Sequence, residues 1–325
     1  MTMKTTTILL MAAALAMAAA CSNDDETTEQ VPTQTQRPLT INVAENPFVN
    51  PDGSRSTRGE ILTTSSTSFN AFTMDYVYGS SPSYGYATAT NNNGKWSCAG
   101  TWNADEKVMV KWYAHTGDKF HLTDDANKLP YINFAVGETV AYQKDLLVAT
   151  TADTWEHCRG KLSFTFDHAC AALRFHMKKA KNLSDYTLTM REVKLCHVVK
   201  TGDYYFSTAS WILGTKMADY TLFSGSKTLG YTDYEAMDTD ESTAYLFLIP
   251  QTLTAWNGSG SLANTYLELN CTIKSGDNQV YNGKAYIPFG ATLEKGTQYD
   301  VNLNIGKNSL YKIDTNNNGV TKIIN

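Results

Sequence analysis

The sequence is poor in charge. Of its 325 residues, 18% are Asp, Glu, Lys or Arg, against about 25% in an average soluble protein. Lys and Arg number 27 and Asp and Glu 32, so the net charge is −5. This balance argues against the basic surface of a nucleic-acid-binding protein. The length suits one large domain or two of ordinary size.

Long apolar runs are also missing, apart from one at the N-terminus. Ile8–Ala20 holds 13 apolar residues, whereas a membrane-spanning helix needs about 20, so residues 1–20 are predicted to be a signal peptide. Three alanines before Cys21 resemble the bacterial lipobox, and Ser22–Glu26 resembles the acidic export signal of Bacteroidetes-type lipoproteins. We expect Cys21 to carry acyl chains such as palmitate and to anchor the chain at the surface of the outer membrane.

Common catalytic and metal-binding motifs are absent as well: there is no C-x-x-C pair, phosphate-binding glycine loop, G-x-S-x-G elbow or H-E-x-x-H helix. Five Cys remain besides Cys21, and whether any two form a disulfide is open. His168 and Cys170 are interpreted as core or turn residues. Asp314–Gly319 begins like a calcium loop, but Asn325 falls where a bidentate Glu is needed, so a plain turn is predicted. We expect no metal, no cofactor and no enzymatic activity.

The sequence does contain a series of short runs in which apolar and polar residues alternate, and Gly, Asn and Asp separate these runs. This pattern predicts an all-β fold, a sandwich rather than βαβ units, and no helix of convincing length follows residue 20. Asn91–Gly94 predicts a hairpin turn. The predicted strands include Leu39–Val43, Phe69–Tyr78, Val108–His115, Asp145–Ala149, Lys161–Phe166, Thr187–Val199, Tyr204–Ala209, Ala244–Ile249, Thr265–Ile273, Val280–Pro288 and Tyr299–Ile305.

A change of side-chain parity marks the middle of the chain. Alternating apolar residues in Leu162–Phe166 and in Leu173–Met177 fall on opposite parities. Asp167–Ala172 must therefore contain a turn, a bulge or a kink. Lys178–Asp185 is polar and is taken as a domain boundary, whereas Leu213–Glu241 is long, polar and rich in Gly.

These features divide the chain into five predicted regions. The signal peptide is followed by residues 21–58, which hold an acidic tether and a first strand. Two β-sandwich domains follow at 59–183 and 184–306, and a tail at 307–325 ends the chain.

Two of the six arginines lie in the loop behind the first strand. Asn46–Gly59 is rich in Pro and Gly and contains Arg55 and Arg58. Exposed loops of this composition are the usual sites of proteolytic nicking. Arg37 precedes Pro38, a bond that trypsin-like proteases usually refuse.

Short motifs in a fixed order make the chain resemble the fimbrillin-like proteins of Bacteroidetes, the type V pilins and their relatives. The lipoprotein start is followed by a strand and then by further segments. These are Thr57–Gly59, Gln143–Ala149, Leu162–Ala169 with its F-x-H-A end, Ala244–Gln251 with its Pro-Gln end, and Leu293–Tyr299.

The resemblance implies two tandem β-sandwich domains of transthyretin-like type. It also implies that an Arg-specific protease cuts after Arg58 or Arg55 and removes the first strand, with its inward residues Leu39, Ile41 and Val43. A strand of another fimbrial subunit, of the same or a related kind, would then fill the opened groove.

The tail at 307–325 is the donor strand that the resemblance suggests, and its plug residues are Ile313, Val320, Ile323 and Ile324. The chain is then a structural subunit of a surface fimbria that contributes to adhesion.

Two other roles stay open at this point. The chain could be a fimbrial tip, anchor or accessory subunit, which need not lose its strand or donate its tail. It could also be a surface glycan-binding lipoprotein, for which exposed aromatic residues on one sandwich edge would be diagnostic. The candidate residues are Trp96, Trp102, Trp112, Trp155, Trp211 and Trp256.

Overall fold

The computed structural model describes residues 37–54, 69–79, 83–117, 119–122, 130–238, 245–313 and 319–324. Strands dominate these residues, which confirms the predicted all-β fold. The one α-helix among them is the four-residue α1, Trp155–Cys158, and three 3-10 turns lie at Val140–Tyr142, Lys181–Leu183 and Lys307–Ser309. No helix in the described part of the chain is long and apolar enough to cross a bilayer.

Ten strands precede the middle of the chain. They are β1 (Thr40–Glu45), β2 (Ala71–Tyr78), β3 (Ser83–Asn92), β4 (Lys95–Cys98), β5 (Val110–His115), β6 (Lys119–Leu122), β7 (Pro130–Ala135), β8 (Leu147–Asp153), β9 (Lys161–His168) and β10 (Ala171–Lys179).

Thirteen further strands follow in the described residues. They are β11 (Tyr186–Val199), β12 (Thr201–Tyr205), β13 (Ser210–Leu213), β14 (Met217–Thr228), β15 (Glu235–Ala236), β16 (Leu246–Leu248), β17 (Thr252–Leu253), β18 (Tyr266–Ser275), β19 (Asn278–Pro288), β20 (Ala291–Thr292), β21 (Gln298–Ile305), β22 (Tyr311–Ile313) and β23 (Val320–Lys322).

A seven-stranded sheet forms the N-terminal half, in the order β1-β9-β8-β5-β2-β3-β4. Its two end strands, β1 and β4, lie beside each other, so the sheet curls around one interior. Alternation explains the packing, because every second residue of β9 is buried. We call this interior the N-terminal core; its large members include Met74, Trp112, Phe164 and Phe166.

A second interior, the C-terminal core, lies between two sheets. One has the order β14-β11-β18-β19-β22-β23, and the other is built on β10, which pairs with β15, β16 and β21. Buried residues from both sheets meet there, among them Phe175, Met190 and Leu269. The pairing of β10 with β21 is parallel and runs from Ala172 opposite Gln298 to Lys179 opposite Ile305.

A third set of buried residues, the junction core, includes Phe48, Ile132, Leu146, Tyr204 and Phe247. It lies where strands of both halves share one sheet, in the order β13-β12-β7-β6. The remaining pair in the described residues is β17 with β20.

The parity change seen in the sequence is confirmed as the passage from one core to another. Phe164 and Phe166 of β9 point into the N-terminal core, and Phe175 and Met177 of β10 point into the C-terminal core. The chain bends at Cys170 between them. The predicted division at 183/184 and the tandem transthyretin-like architecture stay predictions.

One local prediction is confirmed, and two others differ from the structure. The hairpin turn between β3 and β4 is confirmed, since Asn93 and Gly94 both have left-handed backbones with φ of 54° and 83°. The long polar stretch Leu213–Glu241, for which the sequence predicts no strand, contains the 12-residue β14. Strand β12 starts and ends earlier than predicted, and Phe206 lies beyond its end.

Candidate functional site

The first strand is the segment that the family resemblance predicts to be removed by proteolysis. Strand β1 runs parallel to β9, with Ile41 opposite Leu162 and Val43 opposite Phe164. Leu39 and Ile41 are 7% and 5% exposed, and Val43 packs against the same N-terminal core. The alternation that predicted the strand thus also identifies its inward face.

Strand β1 occupies a gap between two edges of the curled sheet. On one side its backbone pairs with β9, and the Thr40 N–H donates to the Gly160 carbonyl at 2.8 Å. On the other side the Trp102 N–H donates to the Arg37 carbonyl at 2.9 Å. Arg37 also lies over the Trp155 ring at 5.6 Å and 3.5 Å from Glu106. Without β1, the edge of β9 would present unpaired backbone groups.

The strand ends at a buried polar cluster. The Glu45 Oε1 atom lies 3.2 Å from Nε2 of His168, whose Nδ1 lies 2.5 Å from Asp145 Oδ2. Burial alone would lower the pKa of His168, but the hydrogen bonds and charges of the two carboxylates outweigh it and raise the pKa to about 9. His168 is therefore an imidazolium that donates to both carboxylates at neutral pH.

The chain beyond Glu45 connects the first strand to the C-terminal half. Phe48 is buried in the junction core, and its ring stacks on His168 with centroids 3.8 Å apart. The Val49 N–H donates to the Gly296 carbonyl at 2.9 Å, and the Gln298 N–H donates to the Val49 carbonyl at 2.8 Å. Residues 37–49, which we call the first segment, therefore contact all three of these cores or the strands that line them.

An exposed turn follows the first segment. The Asn50 N–H donates to the Ser54 carbonyl at 2.8 Å, and Asp52 accepts from the Ser54 hydroxyl at 2.6 Å. The predicted cleavage residues Arg55 and Arg58 come next and lie outside the described residues. The predicted lipidation residue, Cys21, lies outside them as well.

The predicted donor tail folds back on its own half of the molecule. Ile313 in β22 pairs with Val320 in β23, and Tyr311 pairs with Tyr286 of β19. Ile324 is 4% exposed in the C-terminal core, and Ile323 packs against that core. Residues 314–318, the interior of the predicted turn, lie outside the described residues.

The tryptophans do not form an exposed aromatic platform. Trp102, Trp112 and Trp256 are buried, and the other three are partly buried against core clusters. Trp211, for example, donates its Nε1–H to the Ala169 carbonyl at 2.8 Å.

Thiols and acidic groups are the remaining candidates for reactive chemistry in the described residues. Each of the five cysteines in the described residues is a free thiol, and three of them, Cys170, Cys196 and Cys271, are buried. Burial, with the nearby Asp145 charge, raises the pKa of Cys170, so this thiol is not activated. Among the residues that the structure describes, no group of three His, Cys, Asp or Glu side chains is arranged to hold a metal ion.

The sequence does not predict the Glu45–His168–Asp145 cluster. It predicts His168 to be a core or turn residue, and in the structure His168 is buried at the end of β9. Glu45 has the parity of Leu39, Ile41 and Val43, so an inward carboxylate at the end of β1 was visible in the pattern. Its partner lies 123 residues away, and only the fold brings the two together.

Comparisons with known proteins give one family and one fold. Residues 61–321 match the profile of a family described as fimbrillin-like. A fimbrial protein from Bacteroides vulgatus is 18% identical with a TM-score of 0.57, over 84% of this chain and 96% of that one. A protein from Bacteroides ovatus, proposed to act in cell adhesion, is 13% identical with a TM-score of 0.48, over 89% and 96% of the two chains. A comparison with curated proteins gives no match.

Proposed function

Because this chain belongs to the fimbrillin-like family, we propose that it is a structural subunit of a surface fimbria assembled by β-strand replacement. The family match and the fimbrial structural neighbour point to a structural adhesion protein and not to an enzyme. The proposed sequence of events is export as a lipoprotein acylated at Cys21, cleavage by an Arg-specific protease after Arg58 or Arg55, and loss of the first segment. A strand of a neighbouring subunit then fills the groove.

The observation that carries this proposal is the position of β1. It is a short strand between two sheet edges, its inward side chains complete the N-terminal core, and an exposed turn separates it from both arginines. One cut in the following loop would therefore detach a strand that is held only by non-covalent contacts.

The burial of the first segment sets a condition on its replacement. Full burial of one large apolar side chain stabilises a protein by about 1.5–3 kcal/mol. Leu39, Ile41 and Phe48 are all buried, so together they contribute roughly 5–9 kcal/mol. A cut segment would stay seated until a strand with comparable apolar side chains displaced it.

The tail is proposed as the donor to another subunit's groove. Its two short strands lie at the end of the six-stranded sheet, and β23 is the last strand in that order. A donor role requires Ile323 and Ile324 to leave the C-terminal core and enter the neighbour. Such a head-to-tail contact is heterologous and builds an open filament.

The decisive experiment is to determine the first residue and the polymer state of the protein taken from its native cell surface. A chain that starts at Gly59 or Ser56, in a ladder that resists SDS, supports strand replacement. An intact, acylated Cys21 on a monomer contradicts it and supports a tip, anchor or accessory subunit or a glycan-binding lipoprotein.

Two variants test the individual steps. Replacing Arg55 and Arg58 together by Ala should leave an unshortened precursor, whereas Arg191→Ala, an exposed arginine of β11, should be processed normally. Normal shortening of the double variant would exclude both sites.

Deletion of 320–325 tests the donor tail and should abolish polymers. Because Ile324 is buried, circular dichroism must show that the monomer still folds. Filaments of normal length from this variant would exclude the tail as donor.

A further inference from the structure

The fourth inward position of β1 is acidic, unlike the first three. Side chains alternate along a strand. The inward face of β1 and of the residue just before it therefore carries Leu39, Ile41, Val43 and Glu45. The first three meet the N-terminal core, whereas the Glu45 side chain, only 9% exposed, meets His168.

The His168 ring is held on both edges and on one face. Its side chain is 2% exposed, Asp145 accepts from Nδ1, and Glu45 accepts from Nε2. The Phe48 ring covers its face and lies 6.4 Å from the ring of Phe247. The site of the first segment therefore contains three apolar positions, one position for a hydrogen-bond acceptor, and an aromatic slot three residues further on.

Removal of the first segment would take Glu45 and Phe48 away but leave His168 and Asp145 in place. The imidazolium and the Asp145 carboxylate still balance in charge, but the Nε2–H loses its acceptor. A new strand that covers this position with an apolar side chain would bury an unpaired donor, which is strongly unfavourable. A strand with a carboxylate there would restore a charge-assisted hydrogen bond.

We propose that His168 selects the strand that replaces β1: a strand of another fimbrial subunit with three alternating apolar residues, an acidic residue two positions on, and an aromatic residue three positions after that. This inference rests on the proposed function and specifies its partner. The strand enters in the direction of β1, parallel to β9, because this direction aligns the acidic residue with His168.

The tail of this chain does not meet the requirement. Its only acidic residue is Asp314. In the register that places Asp314 at the acceptor position, Asn308, Leu310 and Lys312 fall at the three apolar positions. Polar and cationic side chains there would enter the N-terminal core. The groove is therefore built for a strand of a different subunit and not for the tail of a second copy.

A competition assay tests this selectivity. The full chain is cut with an Arg-specific protease, and a fluorescent peptide of residues 37–50 is exchanged into it and followed by anisotropy. Unlabelled peptides then compete: the natural sequence, Glu45→Leu, Glu45→Gln, and Thr40→Leu as a control at an exposed position of β1. A peptide of residues 307–325 represents the tail.

We expect Glu45→Leu to compete at least about 10-fold less well than the natural peptide, because a buried donor loses its partner. Glu45→Gln keeps an acceptor and should lie between them, Thr40→Leu should differ by less than about 2-fold, and the tail peptide should compete as poorly as Glu45→Leu. In a His168→Leu chain the preference should reverse in favour of Glu45→Leu, an outcome that general loss of peptide affinity would not produce.

Three results overturn the inference in different ways. Equal competition by the natural and Glu45→Leu peptides would refute selection by His168 and leave strand replacement standing. Equal competition by the tail peptide would refute the exclusion of a second copy. Failure of every peptide, the natural one included, to enter the cut chain would refute strand replacement and this inference with it.

Discussion

Replacing Ile41 by alanine should loosen β1 without unfolding the protein. Ile41 is 5% exposed and packs in the N-terminal core opposite Leu162. Truncation of a buried Ile to Ala typically destabilises by about 2–5 kcal/mol. Because β1 is bonded to only one full strand, we expect most of this loss in local opening of the strand and not in global unfolding.

The expected magnitude can be measured by hydrogen exchange. The Thr40 and Asn46 amides donate to the Gly160 and Phe166 carbonyls, so they report on opening of β1. A destabilisation of about 2–4 kcal/mol should speed their exchange by roughly 30-fold to 700-fold, at about 1.4 kcal/mol per factor of ten. Amides in the middle of β11 should change little.

The neighbouring residue supplies the control. Asn42 points outward and is exposed, so Asn42→Ala should leave exchange at the two reporter amides within about 2-fold, because surface substitutions seldom exceed 0.5 kcal/mol. Equal exchange in the two variants would refute the view that inward side chains hold β1. Equal acceleration throughout β11 would show that β1 does not open separately.

Three further predictions concern other parts of the molecule. The pKa of His168 is about 9 in the folded protein against about 6.5 unfolded, so its stabilisation is complete below pH 6.5 and is lost as the pH rises through 9. Urea unfolding at pH 6 and pH 9.5 should show a loss of up to about 3 kcal/mol that His168→Gln lacks, and parallel pH profiles would contradict this. Ile324→Ala should lower the free energy of unfolding by about 2–4 kcal/mol, with the exposed Thr321→Ala as a neutral control; a neutral Ile324→Ala would mean that the tail is not packed in solution. Gly94→Ala should lower the melting temperature, because left-handed backbone costs about 1 kcal/mol for a residue with a Cβ, whereas Gly230→Ala, with open space and an ordinary backbone, should not.

The sequence predicted what depends on alternation. Strands β1, β9 and β11 were placed to within a few residues, because each alternates apolar and polar side chains over a half-buried sheet. The hairpin at Asn93–Gly94 was predictable because few residue pairs tolerate a left-handed backbone. The conformational preferences of neighbouring residues determine both the strands and the hairpin turn, so the amino-acid sequence alone is sufficient to predict them.

The sequence alone does not predict which distant segments pair with each other. Strand β14 was missed because its edge position leaves many of its residues exposed and weakens the apolar pattern. The sheet that joins β7 to β12 combines segments about 70 residues apart. The contact of Glu45 with His168 depends on the parallel register of β1 and β9, which no local motif fixes.

The direct passage from β9 into β10 has a mechanical consequence for a filament. In the proposed polymer, tension enters at the groove lined by β9 and leaves through the tail that follows β21. Strands β10 and β21 are parallel along their shared length, so the pull acts on the start of one strand and the end of the other, in opposite directions along the same axis. This geometry shears the interstrand hydrogen bonds together and does not unzip them one after another. Each subunit would therefore bear the tension through the parallel pairing of β10 with β21. Because these hydrogen bonds are loaded in shear in every subunit, the filament would resist the pull of flowing liquid.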